Sequence, residues 1–391
     1  MKYVTLEEVC ENRTSNISQK DLKGNEGIYP IYGASGLIKK VDFYIQDKEY
    51  IGIVKDGAGV GRTMLLPSKS SVIGTMQYII PNGILNIKYL YYALISKKLS
   101  KYSSGATIPH IYFRDYKKEK ILLISEIEQQ KIVSILDNIV SLIEKNKKRI
   151  ILLEELVKSR FIEMFGDPIR NDKGWEITFM NKISIKRGEY GSNKSSTVYD
   201  GGYRYIRITD IKENGTLKEE KVGVMDEEIE VQKYKLEEGD ILFARSGATV
   251  GKTFLYRKKY GNCIFAGYLI RFKLNLNRVN PYYIKHYTDT EYYKKWIKNY
   301  QNIVAQPNIN AKQYGEELKV LLPPLSLQNE FAEFVTKTNK LKFRLFSSII
   351  LGKNLFKNLT LLIFLDNIGL VLELDKRNKN KKLNMGVKKD V

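Results

Sequence analysis

The chain carries the same order of sequence motifs twice, and this internal repeat limits its fold more than any other feature. YVTLEEV at Tyr3 matches EITFMNK at Glu176, an offset of 173 residues, and EQQKI at Glu128 matches LQNEF at Leu327, an offset of 199. The similarity persists although the second copy has gained residues between its matching segments. Each copy therefore combines a region of variable length with a segment of constant length.

The segment of constant length has the sequence period of a long helix. Its apolar side chains recur at alternating steps of three and four residues, the 3.5-residue average of a coiled coil. Two such stripes predict two helices that pack on each other, and a lone amphipathic helix on its own domain is the alternative. Asn146 and Arg160 interrupt the first stripe, and Thr338, Lys342 and Gly352 weaken the second. The predicted seam consists of Ile132, Leu136, Ile139, Ile143, Ile150, Leu153 and Val157 in the first copy and Phe331, Val335, Ile349 and Phe356 in the second.

The variable regions predict mixed helix and strand structure. YIGIVKDGAGVGRTMLL and GDILFARSGATVGKTFLY are short β-rich runs around glycine turns, which is typical of hairpins. NIKYLYYALISKKLSKY and NPYYIKHYTDTEYYKKWIKNY predict short helices rich in tyrosine and lysine. Gly166 and Pro168 follow the first long helix and predict its C-terminal cap. The predicted fold class is therefore α+β, with two α+β regions alternating with two long helices.

The two glycine-rich segments resemble a phosphate-binding loop but do not have its spacing. Such a loop requires G-x-x-x-x-G-K-[S/T], so that successive backbone N–H groups converge on phosphate oxygens. In FARSGATVGKT only three residues separate Gly247 from Gly251, and VKDGAGVGRT repeats this short spacing with Gly57 and Gly61. A motif that occurs twice with the same altered spacing indicates a structural element of a repeated domain. We therefore expect no nucleotide binding at these loops.

The chain is strongly basic. Its 391 residues include 65 Lys and Arg against 44 Asp and Glu, a formal net charge of +21. This excess favours binding to nucleic acid, because a basic surface releases the counterions that are condensed on phosphates. A membrane surface as partner and a merely lysine-rich solvated exterior are the alternatives.

Cysteine content and hydropathy favour a cytoplasmic protein. Cys10 and Cys263, the only two cysteines, are far apart in sequence, so neither a disulfide framework nor a cysteine metal site is predicted. Glu7, Glu8 and Glu11 occupy the region where a signal peptide needs an apolar run. No segment approaches the roughly 18 uninterrupted apolar residues of a membrane span. We therefore expect neither export nor a membrane partner.

An α+β region and a long helix, followed by the same pair again, resemble the DNA-specificity subunit of type I restriction–modification systems. The resemblance extends from residue 1 to about residue 364. It rests on ISEIEQQKIVSILDNIVSLIEKNKKRIILLEELVKSRFIEMFGDP, LPPLSLQNEFAEFV, the two glycine-rich loops, and the proline-centred segments GATIPHIYF and VAQPNIN. It implies two target recognition domains, each reading one half of a bipartite DNA site. It also implies that the two helices pack as an antiparallel coiled coil, set the spacing and dock the modification subunits.

The resemblance implies partners as well. The expected partners are double-stranded DNA, two modification (methyltransferase) subunits and, in complexes that also cleave, restriction subunits. The modification subunits would bind S-adenosylmethionine and methylate adenine. This chain is therefore expected to carry no cofactor, no metal and no catalytic residue of its own.

The repeat and the resemblance divide the chain into five predicted segments. These are a first target recognition domain (1–124), a first spacer helix (125–165), a second target recognition domain (166–325), a second spacer helix (326–364) and a basic, disordered tail (365–391). The second helix departs from the pattern where LGKNLFKNLTLLIF replaces LLEELVKSRFIEMF. Gly352 in mid-helix costs about 1 kcal/mol relative to alanine. We therefore expect a frayed or altered end of this helix.

Candidate DNA contacts lie on predicted loops. Arg or Lys at a glycine turn can neutralise a phosphate or reach guanine edges, and Asn and Gln can pair with adenine. Pro109 and Pro307 could instead end turns whose neighbouring amides cap the backbone, so a scaffold role is an equal alternative for segments that match between the copies. Arg204 and Arg207 lie in a segment that differs, which favours a role in the specificity of the second half-site. The predicted contacts are Arg62, Thr63, Ser103, Ser104, Thr107, His110 and Arg114 in the first copy and Arg204, Arg207, Arg245, Ser246, Lys252, Thr253, Gln306, Asn308, Asn310 and Lys312 in the second.

The sequence lacks the motifs of an active site. NPYY, from Asn280 to Tyr283, differs from the N-P-P-Y loop of amino-methyltransferases because Tyr282 replaces the second proline. His110 and His286, the only histidines, lie in different copies, so no metal cluster is predicted. A non-catalytic DNA-reading subunit is therefore the leading hypothesis. A DNA-modifying enzyme with its own methyltransferase or nuclease activity and a helix-mediated interaction protein are the alternatives.

Overall fold

The chain forms two compact units. The structure, a computed structural model, describes residues 2–105, 107–224, 228–301 and 307–364, and of residues 228–230 only the backbone. Gln306 and the predicted tail at 365–391 lie outside the described residues. One unit comprises Met1–Lys147 together with the chain from Phe346 onward, and the other comprises Lys148–Leu345. The first unit is therefore built from two separate stretches of chain, and the second from one.

The first unit combines mostly antiparallel strands with short helices and the first part of a long helix. Its main sheet has the strand order β2-β8-β5-β6, and a smaller sheet has the order β4-β3-β7. Helix α2 covers the main sheet, because Tyr89 and Leu90 are buried in one cluster with Ile51, Ile53 and Ile79. The strands are β1 (Lys2–Thr5), β2 (Cys10–Thr14), β3 (Tyr29–Gly33), β4 (Gly36–Val41), β5 (Tyr50–Val54), β6 (Thr63–Leu66), β7 (Ser71–Val72), β8 (Met76–Pro81) and β9 (Lys120–Leu123). The helices are α1 (Leu6–Val9), α2 (Ile87–Lys97), α3 (Phe113–Tyr116) and α4 (Glu126–Phe165), which continues into the second unit, with 3₁₀ turns at Lys20–Leu22 and Leu99–Tyr102.

The second unit repeats this design with additional strands. Its main sheet has the order β11-β18-β15-β16, and two further strand pairs, β12-β14 and β13-β17, account for part of its greater length. The strands are β10 (Glu176–Phe179), β11 (Glu189–Tyr190), β12 (Ser196–Val198), β13 (Arg204–Ile206), β14 (Val222–Val224), β15 (Ile241–Ala244), β16 (Thr253–Leu255), β17 (Cys263–Phe265), β18 (Leu269–Phe272) and β19 (Lys319–Leu322). The helices are α5 (Glu228–Tyr234), α6 (Pro281–Tyr287), α7 (Glu291–Gln301), α8 (Ala311–Glu316) and α9 (Leu325–Phe364), with 3₁₀ turns at Met180–Lys182, Ile208–Asp210, Gly247–Thr249 and Lys258–Tyr260.

In each unit, an antiparallel strand pair joins the first strand to the strand before a long helix. Strand β1 pairs with β9 in the first unit, and β10 pairs with β19 in the second. These pairs and the matching order of the two main sheets reproduce the sequence repeat in three dimensions. The predicted α+β class, with two mixed regions and two long helices, is confirmed.

The two long helices pack antiparallel. Helices α4 and α9 have 40 residues each. In the first unit, Asn146 Nδ2 donates to Ser348 Oγ at 3.1 Å. In the second, Arg160 Nη2 donates to Glu330 Oε1 at 3.0 Å. Residue numbers fall along α9 as they rise along α4, so the predicted antiparallel coiled coil is confirmed and the lone-helix alternative is not.

The predicted seam residues differ in burial. Thr338, one of the polar interruptions, is buried and donates its hydroxyl to the Phe334 carbonyl at 2.9 Å. Lys342, another, places its ammonium 3.7 Å from Glu154. Polar side chains are therefore accommodated in the seam by local bonds. Leu136, Ile143, Val157, Phe331, Val335 and Ile349 are buried, and Ile132, Ile139, Ile150, Leu153 and Phe356 are partly exposed.

The ends of the long helices differ from each other in how they are fixed. Helix α4 ends at Gly166, whose φ of +79° suits glycine and whose N–H donates to the Ile162 carbonyl at 2.8 Å. The fraying expected for α9 is not found within the described residues, because the helix continues to Phe364. The Phe364 ring lies 5.1 Å from that of Tyr89 and belongs to the core of the first unit. The altered LLIF sequence therefore anchors this helix end. Among the described helices, none combines the length and apolar composition that crossing a bilayer requires.

Candidate nucleic-acid interface

In the first unit, a glycine loop and a proline loop are joined by backbone hydrogen bonds. We call residues 54–63 and 243–253 the glycine loops, and residues 103–111 and 307–310 the proline loops. Gly57 donates its N–H to the Pro109 carbonyl at 2.8 Å, and Ile111 donates its N–H to the Lys55 carbonyl at 2.9 Å. Two motifs that are far apart in sequence thus form one paired loop.

The second unit contains the same paired loop. Gly247 donates its N–H to the Pro307 carbonyl at 3.0 Å, and Ile309 donates its N–H to the Arg245 carbonyl at 2.8 Å. These bonds correspond one by one to those of the first unit. The paired loop is therefore a shared structural element, on which the exposed side chains differ between the units.

The glycine loops are hairpin connections rather than phosphate cradles. They join β5 to β6 and β15 to β16, and neither leads into an α-helix. In the second loop, Val250, Gly251 and Lys252 donate their N–H groups to carbonyls of the same hairpin at 3.0–3.1 Å. In the first loop, Val60, Gly61 and Arg62 do the same at 2.8–3.0 Å. A phosphate would find these donors already occupied, which supports the structural interpretation of the short glycine spacing.

Two arginines project from the paired loop region of the first unit. Arg62 is exposed and donates from Nη1 to the Ala34 carbonyl at 2.7 Å. The Arg114 side chain is 77% exposed, and its guanidinium carbon lies 4.9 Å from the centroid of the Tyr112 ring. A guanidinium on an aromatic ring keeps its N–H groups free for an anion or a base edge. Both arginines are therefore available to a ligand.

The smaller predicted contacts of the first unit lie on the same loops. His110 is partly buried, and one ring nitrogen lies 3.2 Å from Ser104 Oγ. This pair closes the proline loop on itself through the backbone bonds between Ser104 and His110 as well. Ser103, Ser104 and Thr107 are exposed, and Thr63 is partly exposed at the start of β6.

Arg245 is the partly exposed arginine of the second paired loop, at the position that Lys55 has in the first unit. Its guanidinium carbon lies 4.7 Å from the centroid of the Tyr190 ring, and its Nε donates to Asn308 Oδ1 at 3.2 Å. Ser246 is partly exposed and forms a backbone bridge to Asn308. Lys312 is exposed on α8. Asn310 instead caps α8, because its side chain accepts from the Gln313 N–H at 2.9 Å.

Two predicted contacts lie in the interior instead. Arg204 is 5% exposed, and its Nη2 donates to the carbonyls of Lys218 at 2.6 Å and Glu220 at 3.2 Å. Thr253 is buried, with its hydroxyl 2.7 Å from that of Thr288. Both side chains would have to break these bonds to reach DNA. We therefore correct their assignment to interior structure.

Two other predicted cations are already paired with carboxylates. Arg207 donates to both oxygens of Asp210, from Nε at 3.1 Å and from Nη2 at 2.9 Å. Lys252 Nζ lies 2.6 Å from Glu213 Oε1. Their charges are locally neutralised at hydrogen-bonding distance, so they offer less to a phosphate than Arg62 and Arg245 do. Arg114 is intermediate, because its Nε lies 3.6 Å from Asp115 Oδ1. Gln306 lies outside the described residues.

The tyrosine supports of the arginines are the features that the sequence prediction missed. Tyr112 lies two residues before Arg114, and this spacing is a local signal that could have found it. Tyr190 lies 55 residues before Arg245 in the sequence, and only the pairing of β11 with β18 brings the two together. No pattern of neighbouring residues in the sequence predicts the contact between Tyr190 and Arg245.

A paired ionic cluster lines a cavity of about 530 Å³ in the second unit. Lys285 Nζ lies 2.7 Å from Asp289 Oδ1, and His286 Nδ1 lies 3.3 Å from Asp289 Oδ2. Burial would raise the pKa of Asp289, but the Lys285 charge and the His286 bond lower it to about 2. Burial also lowers the pKa of His286. The cluster thus ties the last turn of α6 to Asp289, two residues after the helix. Within the described ranges, no three His, Cys, Asp or Glu side chains are grouped to hold a metal ion.

Comparison with known proteins places this geometry in a family. The family model "Type I restriction modification DNA specificity domain" matches residues 1–155 and 172–350. The "Type I restriction enzyme MjaIX specificity subunit" of Methanocaldococcus jannaschii is 25% identical over 261 residues, which cover 60% of each chain. A second protein of that organism, the "Putative type I restriction enzyme MjaX specificity subunit", is 27% identical over 43% of this chain and 40% of its own. The chain thus spans at most about 60% of the length of the curated relatives it matches.

Two solved structures share the fold. The S subunit of a type I restriction-modification system from M. genitalium superposes with a TM-score of 0.60 at 18% identity, over 92% of this chain and 95% of its own. A chain from a structural study of complex assembly and conformational transition of the type I R-M system superposes with a TM-score of 0.56 at 13% identity, over 94% and 98%. At these identities the likeness concerns the fold.

Proposed function

Because the chain belongs to the family of the type I restriction modification DNA specificity domain, we propose that it is the non-catalytic DNA-specificity subunit of a type I restriction–modification complex. Its two recognition domains, residues 1–124 and 166–325, each read one half of a bipartite site. The observation that carries the proposal is the paired loop, which occurs once in each unit with the same backbone bonds. A ring-supported arginine accompanies each loop, Arg114 on α3 beside the first and Arg245 within the second.

The chemistry of these arginines suits a DNA surface. A guanidinium that rests on a ring loses little conformational freedom when it binds, and it can donate two parallel bonds to guanine or to a phosphate. Asn308, which lies next to Arg245, adds an amide that can pair with adenine. The net charge of +21 supplies the general attraction to the DNA backbone.

We place the partner subunits on the long helices. Both helices present large apolar side chains to solvent, and such exposed apolar surface is typical of a protein–protein interface. We assign it to two modification subunits, which would supply S-adenosylmethionine and methylate adenine, with restriction subunits completing the complex. The same helices would set the spacing of the half-sites. The exposed residues are Ile127, Ile135, Val140, Leu142, Ile151, Leu152, Leu156 and Ile162 on α4 and Leu341, Phe343, Phe346, Ile350, Leu351 and Leu355 on α9.

We further propose that the complex works in the cytoplasm. Cys10 and Cys263 are both free thiols in the interior, which suits a reducing compartment. Burial raises the pKa of Cys10 to about 12 and that of Cys263 to about 11, so both stay protonated.

The deciding experiment is co-expression with the modification subunit, followed by mapping of methylated adenines across a genome. We expect one bipartite site with an unread gap. Exchanging residues 166–325 for the matching region of a relative should change one half-site and leave the other unchanged. If both halves change together, or if methylation has no bipartite pattern, the proposal fails.

A second experiment separates this proposal from a self-sufficient enzyme. The NPYY segment is a helix cap, in which Asn280 Oδ1 accepts from the Tyr282 N–H at 2.9 Å and Tyr283 is buried. Asn280 is thus engaged in the fold, and we expect the isolated chain neither to bind S-adenosylmethionine nor to methylate DNA. Calorimetric titration with the cofactor tests this, and saturable binding would favour the enzyme alternative.

A further inference from the structure

A polar cavity of about 420 Å³ opens beside the paired loop of the first unit. One wall is the end of the main sheet and the other is α3. Ile79 and Ile53 on this sheet belong to the apolar core. Nearer the paired loop, the strands carry the polar residues Asn12 and Gln77, and these line the cavity. The lining residues that matter here are Asn12, Gln77, Lys55, Tyr112, Arg114 and Lys117.

Polar groups at this cavity lack hydrogen-bond partners. Asn12 Oδ1 is buried and has no hydrogen-bond partner among the described residues. The buried Gln77 amide interacts only weakly, with the Tyr116 hydroxyl on α3, which does not itself line the cavity. Gln77 is 2% exposed, and Tyr116 is completely buried. Burial raises the pKa of Tyr116 well above its ordinary value, and the nearby Gln77 amide opposes this only in part. Buried amides are nearly always bonded in folded proteins, so the Asn12 oxygen and the weakly bonded Gln77 amide are two polar groups that a ligand or a water molecule would satisfy.

The matching positions of the second unit are filled by apolar or hydrogen-bonded side chains. The sheet registers place Ile270 opposite Phe243 where Gln77 stands opposite Ile53. Ile270 is completely buried, so the unpaired amide of the first unit is replaced by an apolar side chain.

The neighbouring positions are closed as well. Tyr190 pairs with Ile270 as Thr14 pairs with Gln77, and its hydroxyl accepts from the Ala311 N–H at 3.0 Å. The Tyr314 hydroxyl, which corresponds to that of Tyr116, donates to the Ala244 carbonyl at 3.0 Å. The polar cavity beside the paired loop therefore occurs in the first unit and not at the matching positions of the second. The shared fold does not require it.

We propose that this cavity of the first unit binds one nucleotide, with the base edge at the Asn12 and Gln77 amides, and that the nucleotide is one swung out of the bound DNA. The part concerning DNA rests on the proposed function. A free nucleotide has the same chemistry, and the experiments below separate the two sources.

The cavity offers a partner to each part of a nucleotide. An amide oxygen and an amide NH₂ complement the donors and acceptors on a base edge. The exposed Tyr112 ring can stack on a base. Lys55 and Arg114, which lie 3.8 Å from Asp56 and 3.6 Å from Asp115, respectively, can turn to a phosphate. Glu7, which also lines the cavity, is already paired with Lys117 at 3.0 Å. Because Gln77 Nε2 has almost no exposed surface, a base inside a duplex cannot reach it, and an extruded base reaches it only when the Gln77 side chain turns into the cavity.

The first experiment titrates the full chain with each of the four deoxynucleoside 5′-monophosphates, followed by saturation-transfer NMR. We expect saturable binding of at least one nucleotide in the millimolar range. Gln77→Ile, which copies Ile270, should weaken it at least tenfold. Gln46→Ile is the matched control, because Gln46 is also buried with an unpaired Nε2 but does not line the cavity.

A second variant, at the exposed edge of the cavity, tests binding without the risk that the protein fails to fold. Tyr112→Ala removes the stacking ring without touching the core, and we expect several-fold weaker binding. Binding of none of the four nucleotides, or binding that is the same in the wild type, Gln77→Ile and Tyr112→Ala, would overturn the inference.

The second experiment uses the complex with modification subunits and DNA that carries 2-aminopurine at successive positions of the first half-site. A rise in fluorescence at one position in the wild type, absent in Gln77→Ile, supports extrusion from DNA. Nucleotide binding without such a rise rejects the DNA source and leaves the free nucleotide. A complex that shows no sequence-specific binding contradicts the proposed function, while the nucleotide titration still decides the inference.

Discussion

Asn146 on α4 donates its side-chain amide to the Ser348 hydroxyl on α9 at 3.1 Å, in a seam that is otherwise largely apolar. Buried asparagines at such positions fix the register of paired helices at some cost in stability. We expect a double-mutant cycle with Asn146→Ala and Ser348→Ala to give a coupling energy of about 0.5–1.5 kcal/mol. Urea unfolding followed by circular dichroism measures it. Additive effects would show that the bond does not hold the register.

Gly352 lies opposite Ile143 at a close approach of the two helices. A Cβ at position 352 would lie 3.0 Å from Ile143 Cγ1. Helix propensity alone predicts that Gly352→Ala raises the free energy of unfolding by roughly 1 kcal/mol. Because of this close contact, we expect the gain in stability to be smaller. In an Ile143→Ala background this contact is absent. There, Gly352→Ala should raise the free energy of unfolding by roughly the full 1 kcal/mol. An equal gain in both backgrounds, measured by urea unfolding, would contradict this close packing.

Arg245 should contribute one charge to DNA binding. We expect Arg245→Ala to weaken binding several-fold and to lower the salt slope by about one, as measured by fluorescence anisotropy over a range of salt concentrations. Arg257→Ala is the matched control. Arg257 also lies 4.7 Å from a tyrosine ring, that of Tyr282, but is paired with Glu238 beyond the other end of β16. If both variants lose the same affinity, the effect is general charge rather than the paired loop.

Asp289 should make the second unit sensitive to acid. Its pKa is about 2 in the folded chain against an ordinary 3.8, so its carboxylate stabilises the fold above pH 4. The stabilisation is lost as the pH falls from about 4 towards 2. We expect Asp289→Asn to cost about 1–2 kcal/mol at pH 7 and progressively less below pH 4. Tryptophan fluorescence reports this selectively, because Trp175 and Trp296, the only tryptophans, both lie in the second unit. A cost that does not change between pH 7 and pH 3 would contradict the assignment.

Phe343 should contribute to binding of the modification subunit. Its side chain is 71% exposed on α9, and fully covering such a ring is worth roughly 2–3 kcal/mol. We expect Phe343→Ser to weaken assembly about tenfold or more in size-exclusion or interferometry experiments, with unchanged unfolding. Tyr268→Ser, at another exposed aromatic residue, is the control. Assembly equal to that of the wild type would remove this part of α9 from the interface.

Periodic and repeated features could be predicted from the sequence because they depend on neighbours along the chain. The stripe through Leu136 and Ile143 follows from helix geometry, and the glycine turns follow from backbone sterics. These features led to the two mixed regions and the paired helices. The resemblance supplied the antiparallel direction.

Contacts between distant residues could not be predicted. Arg204 looked like a surface cation, but its partners are carbonyls 14 and 16 residues away, which only the folded chain brings to it. Likewise, the end of α9 looked weak from its own composition. Its anchor is the contact between Tyr89 and Phe364, and no local pattern records that pairing.

The first unit encloses the second within the chain, and this affects the order in which a ribosome could complete them. Residues 148–345 emerge as one stretch and can form their core while synthesis continues. The first unit, although begun earlier, lacks Ile363 and Phe364 until α9 has been made, and both belong to its core. The part synthesised first is therefore finished last. A nascent chain halted before residue 346 would leave the apolar surface around Tyr89 uncovered, so the core of the first unit depends on the second half of α9.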